Sequence, residues 1–495
     1  MTKLLFWIEG PDLHFCLSYF LQKQKNFELF AIFDVPKRQE DFFKNQSLIN
    51  FQKQWFYHEN IKFPHSPNIE YIENFQKKNK IDLWKLAKYE RFFSKDNTFY
   101  NFTNDEISSI LEQECKLFES ILDDVKPDYI IMPMTTLHNN HLFYELCKSK
   151  NIKILMLSIS NLPYRVILSS TPILIDDFSN FQNKILKKST LDKIQNTIQS
   201  YNYPDKIRNF FNEQGLYKNK SMFSALLEFI KSDNSISKTH YTHFGRSKMK
   251  VIIFMLKNII RRKLRKRFID KNLLRTFPKN EKFLYHPINL TMERQTLLGA
   301  PDFSDSIRMI EKIAKSLPLN YKLYVKEHPH QSARGWRSKS DYNFLKNIKN
   351  IRVFHPDVPI DNFYKNCSAT ISITAGPVLL ESLSFGKPCI TFSENDYYGI
   401  NSILKIDNTD VLAQTIVDAI KTKVNVDEVS DFLTFFEEES LIFDWHKFMS
   451  DQLNVFLFGG NFSNVNINQQ KLVEFLNYYE EKLNIIIQAH LKKIV

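Results

Sequence analysis

The sequence has little glycine and few cysteines, and each shortage excludes a class of protein. Ten glycines and 18 prolines in 495 residues are too few for a collagen-like or low-complexity chain. The five cysteines, an odd number at scattered positions, give neither a pairing pattern nor a zinc-ligand spacing. A reduced, intracellular protein is the interpretation that these cysteines favour.

Long apolar runs are also scarce. The apolar run at the N-terminus ends at Glu9, which is too short for the core of a signal peptide. The longest run elsewhere, 251–256, is broken by Lys257 and falls well short of the roughly 20 apolar residues of a spanning helix. The sequence therefore predicts a cytoplasmic protein that does not cross a membrane.

What the sequence does have is a globular composition, with 43% hydrophobic and 14% aromatic residues. Its length suggests about two to four domains. Short apolar runs alternate with helical periodicity in the first half and again over 282–421. We therefore predict an α/β chain with two doubly wound domains, a cleft between them and a helical C-terminal segment.

Changes in composition predict four segments. The first is an N-terminal α/β domain over 1–240, in which 176–235 is mainly helical and polar. A basic linker follows over 241–278. A second α/β domain covers 279–430, and the helical C-terminal segment covers 431–495.

The net charge of +12 is concentrated in one block, 246–275, which holds twelve Lys or Arg residues and one Asp. Because these charges are mixed with Ile, Phe, Met and Leu, they favour a surface helix on anionic lipid. A solvated linker helix is the ordinary alternative. Nucleic acid ranks last as a partner, since no recognition motif accompanies the charge, and we predict that none binds.

The motifs of the second domain follow its predicted strands, where doubly wound sheets bind ligands. Lys326-Glu327-His328-Pro329 comes directly after an apolar strand, and both Lys326 and His328 can donate to a phosphate. A plain strand-ending turn is the alternative.

A second motif, Thr374 to Glu381, follows the predicted strand over 369–373 and opens a helix that begins at Pro377. The free N–H groups of a helix start favour an anion, and neighbouring hydroxyls add donors. The residues expected to hold a phosphate there are Ser372, Thr374, Ala375 and Gly376. Glu381, one turn into the helix, could accept from ribose or sugar hydroxyls. A turn that needs only small residues is the alternative.

Two further groups complete the candidate set. The loop after the first strand of the second domain carries His286-Pro287, and Glu293 and Arg294 follow it. The run Arg334-Gly335-Trp336-Arg337 sets two guanidinium groups beside an indole, which suits a phosphate or carboxylate. Surface or packing loops explain both groups almost equally well.

Together these motifs resemble those of bacterial and archaeal capsule or surface polysaccharide biosynthesis glycosyltransferases of the GT-B fold, which has two Rossmann-like domains. The resemblance covers roughly Lys282 to Phe392. Lys-x-His-Pro is also similar to the His-Pro motif of bacterial sialyl- and Kdo-transferases, in which the His contacts a cytidine monophosphate donor. This sequence departs from the pattern at Ile373, where many relatives have Gly.

The resemblance implies transfer of a sugar from a nucleotide-activated, CMP-linked donor to a growing surface or capsular polysaccharide or glycolipid. His328 would be catalytic and bind the donor with the residues named above, while Arg334 and Arg337 would contact phosphate or acceptor. No metal and no further cofactor are implied, since Lys, His and a helix dipole can neutralise the leaving phosphate. A nucleotide-sugar epimerase of the same architecture and a non-catalytic partner in polysaccharide assembly or export remain alternatives.

Such a transfer needs a general base near an acceptor bound to the N-terminal domain. Glu9 and Asp12, just after the first strand, are the candidates, although carboxylates are common at helix N-termini for structural reasons. His138 and His141 are three residues apart and could share a helix face, but they lack a third ligand for a metal.

Overall fold

Two separate units make up the structure, which is a computed structural model. The first unit comprises Met1–Asp176, Tyr203–Val251 and Glu439–Val495, and the second comprises Asp177–Asn202 and Ile252–Glu438. The structure describes residues 1–495 except 25–26, 63, 89, 94–96, 98, 163, 173–174, 177–189, 201–218, 233–239, 292, 333, 394–399 and 495. Much of the predicted helical stretch 176–235 thus lies outside the described residues.

The strands are numbered in chain order. They are β1 (Lys3–Ile8), β2 (Glu28–Phe33), β3 (Phe51–Phe56), β4 (Tyr129–Pro133), β5 (Lys153–Ile159), β6 (Arg165–Ser169), β7 (Lys282–Pro287), β8 (Tyr321–Lys326), β9 (Ile351–Phe354), β10 (Thr370–Ser372), β11 (Cys389–Thr391), β12 (Ile403–Lys405) and β13 (Leu441–Ile442).

The helices are numbered in the same way. They are α1 (Leu13–Gln24), α2 (Lys37–Asn45), α3 (Tyr57–Asn60), α4 (Ile69–Asn79), α5 (Leu83–Lys88), α6 (Asn104–Val125), α7 (His138–Ser149), α8 (Leu191–Ser200), α9 (Asn219–Lys231), α10 (Lys248–Asn272), α11 (Arg294–Leu297), α12 (Ser306–Lys315), α13 (Lys339–Asn347), α14 (Asp361–Asn366), α15 (Pro377–Ser384), α16 (Leu412–Lys421), α17 (Val426–Glu439), α18 (Trp445–Phe456) and α19 (Gln469–Lys493).

The sheet of the first unit has the order β13-β6-β5-β4-β1-β2-β3. Strands β1 to β5 are parallel, and β6 and β13 are antiparallel. Their apolar runs are buried on both faces, as in sheets that helices cover on both sides. Helices α18 and α19 pack into one of these two cores through side chains such as Phe448 and Leu476, so the chain from residue 439 joins the same unit as β1.

The sheet of the second unit is parallel throughout, in the order β12-β11-β10-β7-β8-β9. Counted within the unit, this is the Rossmann order 3-2-1-4-5-6, and its strand order reverses between β7 and β10. In the first unit β1 to β5 follow the corresponding order 3-2-1-4-5. The prediction of an α/β chain with two doubly wound, Rossmann-like sheets is confirmed.

Sequence patterns missed several elements between residues 36 and 104. Strand β3, with the sequence Phe-Gln-Lys-Gln-Trp-Phe, lies at the sheet edge and exposes Gln52 and Lys53, so it lacks the apolar run of a central strand. Helix α4 begins at a cap in which Asn68 Oδ1 accepts from Tyr71 N. Strand β3 thus has no apolar run by which a sequence pattern identifies it, and the start of α4 is marked by a polar cap.

Two further sequence expectations concern cysteines and membrane spans. Cys16, Cys115, Cys147, Cys367 and Cys389 are all buried and free, consistent with the absence of a pairing pattern. Within the described part of the chain, no helix combines the length and the apolarity that a bilayer crossing requires.

Candidate functional site

The loops that carry the second-unit motifs lie at one edge of its sheet. Strand β7 ends near His286 and lies between β8, which ends at Lys326, and β10, which precedes Thr374. Because the three strands are parallel, their carboxyl ends share an edge at the point where the strand order reverses. The structure thus brings together motifs that are about 90 residues apart in sequence.

A chain of hydrogen bonds connects these loops. Asn289 Nδ2 donates to Thr374 Oγ1 over 2.5 Å, and the Asn289 carbonyl accepts from Arg337 Nη2. Arg337 Nε donates to Glu327 Oε2 over 3.0 Å, and Glu327 Oε1 accepts from His328 N over 2.8 Å. The turn after β10 and His328 are therefore fixed by one network.

The hydrogen bonds of His328 define its tautomer. Its Nδ1 accepts from the backbone N–H of His330 over 3.1 Å, so the remaining proton of the neutral ring is on Nε2. Lost solvation, with the nearby charges of Lys326, Arg337 and Arg334, lowers the pKa of His328 to about 3. The half-buried ring can thus donate one hydrogen bond at neutral pH without carrying a charge.

Lys326 supplies the positive charge at this edge. The residue is 7% exposed, and the loss of solvation lowers the pKa of its ammonium to about 8, although Glu381 opposes the shift. Glu381 accepts a 2.8 Å hydrogen bond from Tyr364 Oη, and burial raises the pKa of its carboxyl. Lys326 therefore remains mostly charged near neutral pH in a poorly solvated position, which strengthens its attraction for an anion.

Arg337 is bound mainly by the protein itself. Its guanidinium is buried and pairs with Glu327, which also accepts from Tyr342 Oη over 2.6 Å. The Nε and Nη2 atoms of Arg337, which the sequence predicts to contact phosphate or acceptor, thus bind Glu327 and the Asn289 carbonyl instead. Arg334 is exposed, and its charge acts on the half-buried Glu293, whose pKa is raised by lost solvation.

The loop before Arg337 has strained backbone. Gly335 and Trp336 have φ of +85° and +64°, and Arg265 Nη1 donates to both of their carbonyls. The indole of Trp336 lies in the core, as the packing alternative proposed. One basic residue of the 246–275 block is therefore structural.

The turn 372–376 satisfies much of its own hydrogen bonding. Ser372 Oγ donates to the Thr374 carbonyl, and Ala375 N donates to Ser393 Oγ, each over 2.8 Å. Gly376 has extended backbone, with φ −132° and ψ −165°, which any residue can adopt. Ile373, where relatives have Gly, is fully buried in the core. A phosphate at this turn would compete with these hydrogen bonds, so the assignment of these residues stays a prediction.

His286 differs from His328 in its surroundings. Its Nδ1 donates to the Ile371 carbonyl over 2.7 Å, and burial lowers its pKa to about 4. Its Nε2 is a buried acceptor without a partner among the described residues. Glu293 precedes the short helix α11, and its carbonyl accepts from Thr296 N and Leu297 N. The side chain of Arg294 lies outside the described part of the structure, and its role in donor binding stays a prediction.

In the first unit, Glu9 and Asp12 follow β1 as predicted. Asp12 caps α1, since its Oδ1 accepts from Phe15 N over 2.9 Å and its Oδ2 accepts from Glu9 N. Glu9 retains exposed surface, but lost solvation around its carboxyl, together with Asp34 and Asp12, raises the pKa of Glu9 to about 8. A carboxyl with this pKa is mostly protonated at neutral pH, which disfavours it as a base there.

His138 and His141 have separate roles. Burial alone would lower the pKa of His138, but Glu114 and Glu90, each 2.9 Å from one ring nitrogen, outweigh it and raise this pKa to about 10. His141 Nδ1 instead lies 2.9 Å from Thr135 Oγ1. Among the described residues there is no group of three or more His, Cys, Asp or Glu side chains placed to hold a metal ion.

Sequence reasoning missed several polar residues at these edges. One had a visible signal, since β9 is followed by His355-Pro356, a third His-Pro pair after a strand of the same sheet. His355 Nε2 lies 3.0 Å from Asp270 Oδ1. Asn289 and Ser393, in contrast, are ordinary polar residues whose partners are distant in sequence, so no local pattern identified them.

Residues 190–403 match the family model described as "Capsule polysaccharide biosynthesis protein". This match contains all of the candidate residues of the second unit, and it confirms the resemblance drawn from Lys282 to Phe392. No curated protein matches the sequence.

Solved structures show distant similarity. The beta Kdo 2,7 transferase KpsC of Thermosulfurimonas dismutans is 13% identical, with 72% of this chain and 97% of that chain covered and a TM-score of 0.27. MnaA of S. aureus in a co-structure with UDP is 12% identical, with 98% of each chain covered and a TM-score of 0.23. The UDP-forming alpha,alpha-trehalose-phosphate synthase of Burkholderia vietnamiensis is 8% identical, with 92% and 99% covered and a TM-score of 0.29.

Proposed function

Because residues 190–403 match the capsule polysaccharide biosynthesis family, we propose that this chain is a glycosyltransferase of the GT-B type. It transfers a sugar from a nucleotide-activated donor to a growing surface or capsular polysaccharide or glycolipid. The donor binds the second unit and the acceptor binds the first. The observation that carries this proposal is the network that holds His328, beside Lys326, at the same sheet edge as the turn 372–376.

The chemistry follows from where charge develops. When the bond between the sugar and the phosphate breaks, negative charge grows on the phosphate oxygen that leaves. The Nε2–H of neutral His328 donates to that oxygen, and the ammonium of Lys326 stabilises the charge. We propose that these two groups act without a metal ion, so that a chelator leaves the rate unchanged. A CMP-linked donor is favoured by the His-Pro resemblance.

A donor panel tests this function. We expect purified protein to release nucleotide from one of several CMP-, CDP- or UDP-linked sugars when a polysaccharide fragment is present, with the sugar recovered on that fragment. Isomerisation of the donor without release would instead support an epimerase. Failure to turn over any donor would contradict the transferase proposal and favour a non-catalytic role in polysaccharide assembly or export.

We also propose that α10 binds an anionic membrane surface, which places the enzyme beside a lipid-linked acceptor. From Ile252 onward this helix belongs to the second unit, and Ile269 is the single buried residue of its described length. Four apolar residues at helical spacing share one face and are each 45–62% exposed: Ile253, Leu256, Ile260 and Leu264. Exposed basic residues surround them: Lys257, Arg261, Lys263 and Arg267.

The positive charge of this face of α10 favours anionic lipid over a second copy of the helix. A second copy of the helix would bring basic residues of like sign together, whereas anionic lipid attracts each one with about 1 kcal/mol. We expect the protein to float with vesicles that contain anionic lipid but not with neutral ones. Changing Lys257, Arg261, Lys263 and Arg267 to Gln should abolish flotation. The matched control changes Lys62, Lys77, Lys421 and Lys471, exposed lysines on other elements. Equal flotation of both variants would reject the assignment to α10.

A further inference from the structure

An aspartate and a histidine form a pair at the carboxyl edge of the first unit's sheet. Asp34 follows β2 directly, and His58 lies in α3, directly after β3. His58 Nε2 is 3.0 Å from Asp34 Oδ1. The other carboxylate oxygen, Oδ2, accepts from Asn139 Nδ2 over 2.9 Å, so the carboxylate is held on both sides.

The imidazole is held in place by its neighbours as well. The ring of His58 stacks on that of His240, with centroids 3.8 Å apart and planes 11° apart. Tyr57, the residue before it, is buried and its Oη hydrogen-bonds Glu114 and Tyr241. The His58 side chain nevertheless keeps 20% of its surface exposed, so it is held by its neighbours without being fully buried.

This geometry defines which nitrogen is free. With Nε2–H donated to the carboxylate of Asp34, the lone pair of the neutral ring is on Nδ1. Among the described residues none hydrogen-bonds this Nδ1. A carboxylate that orients one ring nitrogen and leaves the other as an acceptor is the arrangement that general-base catalysis by histidine requires.

Glu9 lies at the same edge, because Asp34 N donates to the Ile8 carbonyl over 2.9 Å. Asn140 Nδ2 donates to Glu9 Oε1 over 3.3 Å. Residues that follow β1, β2, β3 and β4 therefore meet at this edge: Glu9, Asp34, His58, Asn139 and Asn140. The edge is rich in acceptors, which suits the hydroxyl groups of a saccharide rather than a phosphate.

We propose that His58 is the general base that deprotonates the acceptor hydroxyl, and that Asp34 is its positioning residue. This inference rests on the proposed glycosyl transfer. The acceptor oxygen forms a bond to the anomeric carbon of the donor sugar, and its proton passes to His58 Nδ1. The bond from that carbon to the phosphate oxygen breaks, and the nucleotide leaves with the electron pair of the broken bond.

The test compares transfer rates of variants with the donor that the panel identifies. We expect His58→Ala to lower kcat by about 100-fold or more while the KM for the donor stays unchanged. Added imidazole should restore part of the rate, because it occupies the space of the lost side chain. Asp34→Asn should lower kcat with little change in the KM for the donor, and imidazole should not rescue it.

Two comparisons keep this test decisive. His65, exposed in the same unit, provides the control, and His65→Ala should keep the wild-type rate with no response to imidazole. If His58→Ala does not fold, His58→Asn keeps a planar group against His240 and should show the same loss of kcat. Full activity in either His58 variant, or a loss in His58→Ala that imidazole does not relieve, would reject the general base. Inactivity of the wild type with every donor would instead reject the proposed function.

Discussion

The two sheets share the strand order 3-2-1-4-5 in their parallel parts, but their carboxyl edges carry opposite chemistry. In the second unit, Lys326 and His328 provide positive charge and a donor, and a network through Glu327 and the buried Arg337 fixes His328. In the first unit, Glu9 and Asp34 provide carboxyl groups with a histidine beside them. A Rossmann-like sheet thus fixes where a ligand binds, while the loops after each strand decide which ligand it is.

This difference suits the two partners of a glycosyl transfer. A nucleotide donor carries negative charge that must be stabilised as it leaves, and an acceptor hydroxyl has a proton that must be removed. Changing the second edge should therefore slow departure of the nucleotide, and changing the first should slow removal of the acceptor's proton, so each change slows the same transfer for a different reason. Variants of each edge can therefore be compared one edge at a time.

Glu327→Ala should cause the largest change, because it leaves the buried guanidinium of Arg337 without its charged partner. Breaking a buried ion pair costs about 3–5 kcal/mol of unfolding free energy. Urea unfolding followed by circular dichroism measures the loss. The matched control is Glu311→Ala, which breaks an exposed pair with Lys315 and should leave the midpoint in place. Equal midpoints for the two variants would show that the pair does not stabilise the second edge.

His328→Ala should lower nucleotide release by about 10²–10³-fold without unfolding the protein, since it removes one donor to the leaving phosphate. Because the lowered pKa keeps this imidazole neutral, His328→Asn, which retains a neutral donor, should lose less. Steady-state rates of nucleotide release at saturating donor are compared for the wild type, His328→Ala and His328→Asn. Equal losses in both variants would indicate that the ring's shape, and not its hydrogen bond, matters.

Lys326 gives the second edge a predicted pH dependence. Its ammonium is charged below a pKa of about 8 and neutral above it, so nucleotide affinity should fall as the pH rises through about 8. The expected loss is roughly tenfold, comparable to one hydrogen bond to a charged group. Lys326→Arg should keep its affinity at higher pH because guanidinium stays protonated. Calorimetric titration with nucleotide at several pH values measures this affinity. If the affinity of the wild type and that of Lys326→Arg fall in parallel as the pH rises, the titration belongs to another group.

The smallest effects concern Glu9 and Asp12. Since the pKa of Glu9 is about 8, Glu9→Gln mimics its protonated form and should change the transfer rate by less than about threefold near neutral pH. Asp12→Ala removes a helix cap and should cost about 1 kcal/mol of stability without a comparable loss of rate. A hundredfold loss of rate in Glu9→Gln would restore Glu9 as the general base.

Sequence patterns predicted the two sheets because their central strands are buried apolar runs between amphipathic helices. They also placed Lys326, His328 and the turn 372–376 at the ends of strands, which is where the structure has them. Sequence patterns could not identify the hydrogen-bond and ion-pair partners of these residues. Nothing local shows that Arg337 pairs with Glu327, that Ser372 donates within its own turn, or that Asp34 meets His58. These contacts depend on strand order, which brings together residues that are distant in sequence.

An experimental structure of the full chain with a bound nucleotide, with CMP tried first and then CDP and UDP, tests directly whether His328 and Lys326 hold the donor's phosphate. We predict a phosphate oxygen within hydrogen-bond distance, about 2.7–3.2 Å, of His328 Nε2, with Lys326 Nζ close to the same phosphate. A phosphate bound elsewhere, with His328 and Lys326 free of it, would contradict the claim.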